Sequence, residues 1–278
     1  MLKIGIRAHD LGKGSLEDLI NRCKQEKIYN LQFVLAKVIE NENGMLDDAK
    51  AKLYYDEFTK NDISVAMLGA YFNPIHSNKQ KVEDSIIKFK NHLKYAKQLN
   101  CKYVGSETGS KNDDKWTYHP LNQSEESYQE VLRIFKDLAA YAEEQDVYTC
   151  IEGAFHHVIN TPKQLKKLVD EINSDNVRVI VDLYNYLSID NHENRYEIFK
   201  EALELLKDKI VLFHLKDYIV ENDKLKQVSL GEGLMDYSKL IPMIKEHISD
   251  AYLIFEGITG DGIKSSLELI GDLVYGNE

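Results

Sequence analysis

The sequence predicts an α/β fold, a single-domain (β/α)₈ TIM barrel spanning residues 1–278. Three observations predict it. Eight short apolar or β-branched runs recur along the chain. A longer run with apolar residues three and four apart follows each of them. No hairpin signal interrupts the alternation.

The strand segments fall at 2–7, 31–35, 63–68, 103–106, 147–151, 177–181, 210–213 and 252–255. Several are apolar throughout, as suits parallel strands covered on both faces. The first helix carries Leu16, Leu19, Ile20 and Cys23 on one face, and the second, 47–59, is less periodic. The third places Val82, Ile86, Phe89 and Leu93 together, and the fourth Tyr128, Val131, Phe135 and Leu138. The fifth opens with Thr161 as cap, Pro162 in the first turn and Gln164 to complete a capping box. The sixth spans 196–206, the seventh follows Asp236, and the eighth carries Leu267, Ile270 and Leu273. Eight such units close a barrel without leaving edges. The alternative, an open doubly wound sheet, calls for a Gly-rich turn after the first strand. Here Arg7, His9 and Asp10 stand in that place.

Length and composition agree with one domain. A chain of 278 residues suits one barrel, and its four prolines mark no linker. Acidic residues outnumber basic ones 46 to 35, a net charge of −11, which repels a phosphate backbone. No nucleic-acid partner is therefore expected. Cys23, Cys101 and Cys150 lack metal-ligand spacing and read as buried thiols of a cytoplasmic protein. The opening MLKIGIRAHD reads as a strand rather than a signal peptide. No apolar run approaches the roughly 20 residues of a membrane span, so no membrane partner is expected. A homodimer is compatible with the architecture, although no segment marks an interface.

In this architecture chemistry sits where strands end and βα loops begin. The fourth strand ends at Glu107, the fifth at Glu152, the sixth at Asp182, the seventh at His214 and the eighth at Glu256. The last four are spaced 182 − 152 = 30, 214 − 182 = 32 and 256 − 214 = 42 residues apart, each about one repeat. One acid at a strand end can be a helix cap or a solvated loop residue. Four ligand-type side chains in consecutive repeats point to convergence on one divalent cation. Three clustered carboxylates without a cation repel one another. Oxygen-rich ligation with one imidazole suits Mn²⁺ first, with Mg²⁺ or Co²⁺ as alternatives and Zn²⁺ still open.

Other residues fall near this mouth. Lys216, two residues after His214, shares its side of an extended segment. It can donate to a substrate oxygen or phosphate, or pair with Asp217 or a neighbouring acid. Of His156 and His157, His157 is the favoured contact to substrate hydroxyls. Glu107 can bind substrate or support a ligand. Trp116, Tyr118 and His119 can stack on a sugar or close over it, or simply anchor their loop. Phe72, Asn73, Pro74 and His76 stand in the same position after the third strand. Gly231 and Gly233 suit a tight loop turn.

At these residues the sequence resembles the sugar-phosphate isomerase/epimerase superfamily. These are the xylose-isomerase-like TIM barrels, which include the ketose 3-epimerases and the apurinic endonucleases. The resemblance rests on I-E-G-A-F-H-H-V-I-N-T-P at 151–162, V-D-L-Y-N at 181–185 and F-H-L-K-D at 213–217. G-E-G-L-M-D-Y at 231–237 and F-E-G at 255–257 complete it. It implies a metal held by Glu152, Asp182, His214 and Glu256, with Glu152 and Glu256 also acting as catalytic acid and base on opposite faces of a sugar. Asn185 stands where the epimerases and endonucleases carry a His, so it becomes a substrate-binding candidate. Val220 replaces an Arg of the epimerases, and no Asp-x-His pattern follows strand seven. The first two departures weaken a hexulose assignment, and the third argues against DNA cleavage.

The expected activity is a metal-dependent isomerase or epimerase of a small sugar, sugar phosphate or keto-polyol. A carboxylate removes a proton next to a carbonyl and a metal stabilises the enediolate. A dehydratase of a keto-polyol would begin with the same step. A phosphodiesterase and a non-catalytic sugar-binding protein are the more distant alternatives.

Overall fold

The computed structural model describes residues 1–276. Its elements are β1 (Leu2–Arg7), α1 (Leu16–Glu26), β2 (Asn30–Phe33), α2 (Leu35–Val38), α3 (Asp48–Lys60), β3 (Ser64–Gly69) and α4 (Lys79–Ala96). Then come β4 (Tyr103–Glu107), α5 (Glu125–Gln145), β5 (Tyr148–Glu152), α6 (Pro162–Ile172), β6 (Val177–Asp182), α7 (Arg195–Leu206) and β7 (Ile210–Leu215). The chain finishes with β8 (Asp217–Glu221), β9 (Lys224–Val228), α8 (Tyr237–His247), β10 (Ala251–Phe255) and α9 (Asp261–Tyr275).

Eight strands close a parallel barrel in the order β1-β10-β7-β6-β5-β4-β3-β2. The expected (β/α)₈ barrel is the observed fold. Two details differ from the sequence reading. The second strand stops at Phe33, because Leu35 begins the short α2. A hairpin does occur: β8 and β9 pair antiparallel across Asn222 and Asp223. Both turn residues have positive φ, 52° and 56°, as a tight two-residue hairpin turn requires. An Asn-Asp pair is a weaker signal for that turn than Asn-Gly.

Strand alternation sorts the core into two parts. Outward side chains such as Phe33, Phe213 and Phe255 are buried beneath the helices, where Phe33 meets Tyr54 and Phe58 of α3 edge-on. Inward, Met67, Cys150, Ile180, Leu212 and Ile254 form a separate cluster. Gly105 belongs to that inner layer, since a Cβ there would stand 2.5 Å from Met67 Sδ and 2.8 Å from Ile180 Cδ1. This layer is the floor of the site. Residues i and i+2 share a face, so Cys150, Ile180, Leu212 and Ile254 each lie one pleat below Glu152, Asp182, His214 and Glu256.

The helices are capped much as the sequence indicated. Thr161 Oγ1 accepts from the Gln164 backbone N–H, and Pro162 occupies the first turn of α6. Gln164 reaches back to the Asn160 N–H, one residue before the expected partner. Such a cap is worth about 1 kcal/mol.

Candidate metal and substrate site

Register brings the ligand-type residues to one level. Glu107 pairs with Glu152 across β4 and β5, and Asp182 with His214 across β6 and β7. Glu256 follows β10 directly and donates its backbone N–H to Leu215 O at 3.2 Å. One ligand atom from each of Glu152, Asp182, His214 and Glu256 lies within 4.8 Å of the others.

The histidine is held by residues that the strand-end search passed over. His214 Nε2 stands 2.6 Å from Gln32 Oε1, and Gln32 Nε2 donates to Tyr71 Oη at 2.7 Å. With Nε2 as donor, Nδ1 points at the carboxylates: 3.0 Å to Glu256 Oε2, 3.3 Å to Glu152 Oε1 and 3.8 Å to Asp182 Oδ2. Burial opposes a charged ring, but Glu152 and Glu256 outweigh it and hold His214 up at about 10. Without another cation, a proton therefore occupies Nδ1.

Asp182 is fully buried. Its Oδ1 accepts from the Asn185 N–H, and its Oδ2 is ion-paired with Lys216 Nζ at 2.8 Å. Burial first, then Glu256 and Glu152 against the relief from Lys216, raises Asp182 to about 6. Three carboxylates and one imidazole lone pair are a donor set that fits a divalent cation.

Two cations of the chain offset part of this charge. Lys216 Nζ lies 2.7 Å from Glu256 Oε1 and donates to Asn185 Oδ1 at 3.0 Å. Arg7 Nη1 donates to the same Glu256 oxygen at 2.8 Å, while Asp10 grips its other face. Burial works against the ionised form of Glu256, yet Lys216, His214 and Arg7 hold its carboxyl well below the usual range. Asn185 joins the two sides, because its Nδ2 donates to Glu152 Oε1 at 2.7 Å.

The remaining expected residues divide. Lys216 pairs with Asp182 and Glu256 rather than Asp217. Asp217 instead accepts backbone N–H groups of Tyr218, Gly231, Gly233 and Met235, and so shapes the loop after the hairpin. A Cβ on Gly233 would stand 2.2 Å from Asp217 Oδ1. His157 is buried edge-on to Trp116, and burial lowers it to about 4, while His156 is exposed. Trp116 and Glu107 stand between two cavities, of about 410 and 620 Å³, and line both. Burial, with Glu152 and Glu256 nearby, pushes the Glu107 carboxyl well up. Tyr118 is exposed and His119 caps the short helix Pro120–Gln123. Asn73 ties its loop to the Ser110 and Asp113 carbonyls, and His76 meets Asp114, so these two serve the loops.

Arg7 and Gln32 were legible by the same alternation that marks the acids. They pair with each other in register at the mouth ends of β1 and β2, but being neither acid nor histidine they do not show as ligands.

Fold and constellation define the class: an eight-stranded parallel barrel with Glu, Asp, His and Glu meeting at its C-terminal mouth. The chain belongs to the xylose isomerase-like TIM barrel family, whose model matches residues 36–273. An inosose dehydratase of Histophilus somni (strain 129Pt) is 22% identical over 224 residues, 73% of each chain. A D-tagatose 3-epimerase-like protein superposes with a TM-score of 0.76 at 16% identity, covering 98% of this chain and 97% of that one. A xylose isomerase-like barrel from Mycobacterium smegmatis, in complex with magnesium, gives 0.77 at 11% identity, covering 99% and 97%. At these identities the solved structures establish a shared fold.

Proposed function

We propose that the chain is a metal-dependent isomerase or epimerase of a small sugar, sugar phosphate or keto-polyol. The observation that carries this reading is the convergence of Glu152, Asp182, His214 and Glu256 within 4.8 Å above an apolar floor. The donor set suits Mn²⁺, Mg²⁺ or Co²⁺. When bound, such an ion supplies Lewis acidity that stabilises negative charge developing on a substrate carbonyl oxygen.

The chain supplies the proton chemistry. Glu152 receives the neutral Asn185 amide, whereas Glu256 is clamped by Arg7 and Lys216. Lys216, His214 and Arg7 hold the Glu256 carboxyl down and make it a poor base, so Glu152 takes the proton beside the carbonyl. Glu256, on the other side of the cluster, is the partner for its return. Lys216 donates to a substrate oxygen once it turns from Asp182, and Asn185 keeps Glu152 oriented. Trp116, packed on His157, excludes water at the cavity junction. Glu107 accepts from a substrate hydroxyl or donates to it. The substrate is a carbohydrate, and nucleic acid and membrane are not partners.

The second reading is a lyase that dehydrates a keto-polyol, favoured by the inosose dehydratase among the relatives. It shares the first proton removal and differs in expelling a hydroxyl. Solvent-deuterium exchange into a ketose and polyol-ketone panel with Mn²⁺ tests both. Exchange without mass loss supports the isomerase, exchange with loss of water supports the lyase, and a metal-loaded protein that catalyses neither contradicts both.

A further inference from the structure

We propose that the cavity running from the carboxylates toward α2 and α4 holds an anionic end of the substrate, a phosphate or a carboxylate, against Lys37 and Lys88. The inference rests on the isomerase–lyase reading for the position of the reacting carbon.

The cavity, about 410 Å³, has Glu107, Glu152 and Glu256 at one end. Its far wall carries Lys37 of α2 and Lys88 of α4. Among the described residues neither lysine has a carboxylate within 4.0 Å, although acids outnumber bases 46 to 35 in the chain. On α4, Lys79, Lys81 and Lys90 each have one, whereas Lys88 and the exposed Lys94 do not.

Lys88 is half-buried, and its polar contact is a long one, 3.4 Å to Asn43 O. Burial lowers its pKa with no acid to restore it. An ammonium taken partly out of water without a counter-charge is unfavourable, and an incoming oxyanion removes the penalty. The loop at Gly44, where φ is +83°, lies directly against the Lys88 ammonium. Lys37 is exposed at the rim, placed to meet a second oxygen of the same group.

The other cavity offers less positive charge. Beyond Trp116 it is lined by Asp190 and Asp223, with Lys224 beside them. A substrate with one charged end is thereby directed to the lysine side, leaving its neutral carbonyl end at the carboxylates.

The test is calorimetric binding of three ligands with one carbon skeleton: D-fructose, D-fructose 6-phosphate and D-fructuronate. At low salt at least one anionic ligand should bind ten-fold or more tightly than fructose. The tighter of the two identifies phosphate or carboxylate as the group recognised. The Lys37→Met/Lys88→Met variant should lose that preference, and the charge-matched Lys94→Met/Lys136→Met variant should keep it. Equal affinity for all three, no measurable binding of any, or a preference that survives Lys37→Met/Lys88→Met overturns the proposal. Because binding is read without turnover, failure of the isomerase reading shows separately, as loss of deuterium exchange with the anion preference intact.

Discussion

The two halves of the barrel mouth are built from the same alternation yet carry opposite chemistry. From β5 to β10 the inward strand ends are Glu152, Asp182, His214 and Glu256, gathered within 4.8 Å. From β1 to β4 they are Arg7, Gln32, Gly69 and Glu107, spread around a cavity of about 410 Å³. The first half concentrates negative charge. The second leaves space, with cations at its edge. A (β/α)₈ scaffold can vary the two independently because each side chain comes from a separate strand. Side chains also join the halves, Gln32 meeting His214 and Arg7 meeting Glu256.

The largest effect should come from the acid-rich half. Glu152→Gln keeps the shape of the side chain and removes the proposed base. Solvent-deuterium exchange should fall about 10²- to 10⁴-fold, the range for a positioned acid–base group. Exchange at the wild-type rate in this variant would reassign the proton transfer. Next comes the contact between halves. Gln32→Leu deletes the partner of His214 Nε2, and loss of such a partner weakens metal affinity about 10- to 100-fold. Unchanged affinity would mean that the halves are uncoupled at this point.

A smaller effect is expected from pH on the cavity half. Burial lowers His92, which lines that cavity, to about 4 from its ordinary 6.5. The unfolded chain therefore binds a proton between these values that the folded chain does not. Stability present above pH 6.5 is lost as the pH falls toward 4. The His92 share is roughly 2 kcal/mol between pH 7 and pH 5. Urea midpoints of the wild type and His92→Gln at the two pH values measure it. The variant should show the shallower dependence, and equal slopes would refute the assignment. Smallest is Gly44→Ala, which imposes a side chain on positive φ and should destabilise by about 1 kcal/mol. Thermal unfolding reads the loss, and a Tm equal to or above the wild type would contradict the positive-φ backbone at this residue.

Much of this was legible in the sequence, and the omissions have physical causes. TCIE, VIVD, VLFH and LIFE announce both a buried strand and the residue that follows its apolar run. The alternation that buries Cys150 also turns Glu152 inward. The partners of these residues were not legible, because pairing depends on register between strands far apart in sequence. Gln32 meets His214 across 182 positions, and Arg7 meets Glu256 across 249. The lysine wall escaped for another reason. Lys37 and Lys88 sit on helical surfaces where lysine is ordinary, and only the cavity beside them sets them apart. The hairpin after β7 was missed because Asn222-Asp223 is an uncommon carrier of its turn.

The account depends on one cation bound by Glu152, Asp182, His214 and Glu256. Calorimetric titration of the metal-stripped chain with Mn²⁺ tests it most directly. The expected result is about one ion per chain with release of about one proton, because metal and proton compete for His214 Nδ1. Affinity should tighten as pH rises, and binding should disappear in folded Asp182→Asn and His214→Ala. No heat of binding, or full affinity in those two variants, would contradict the central claim.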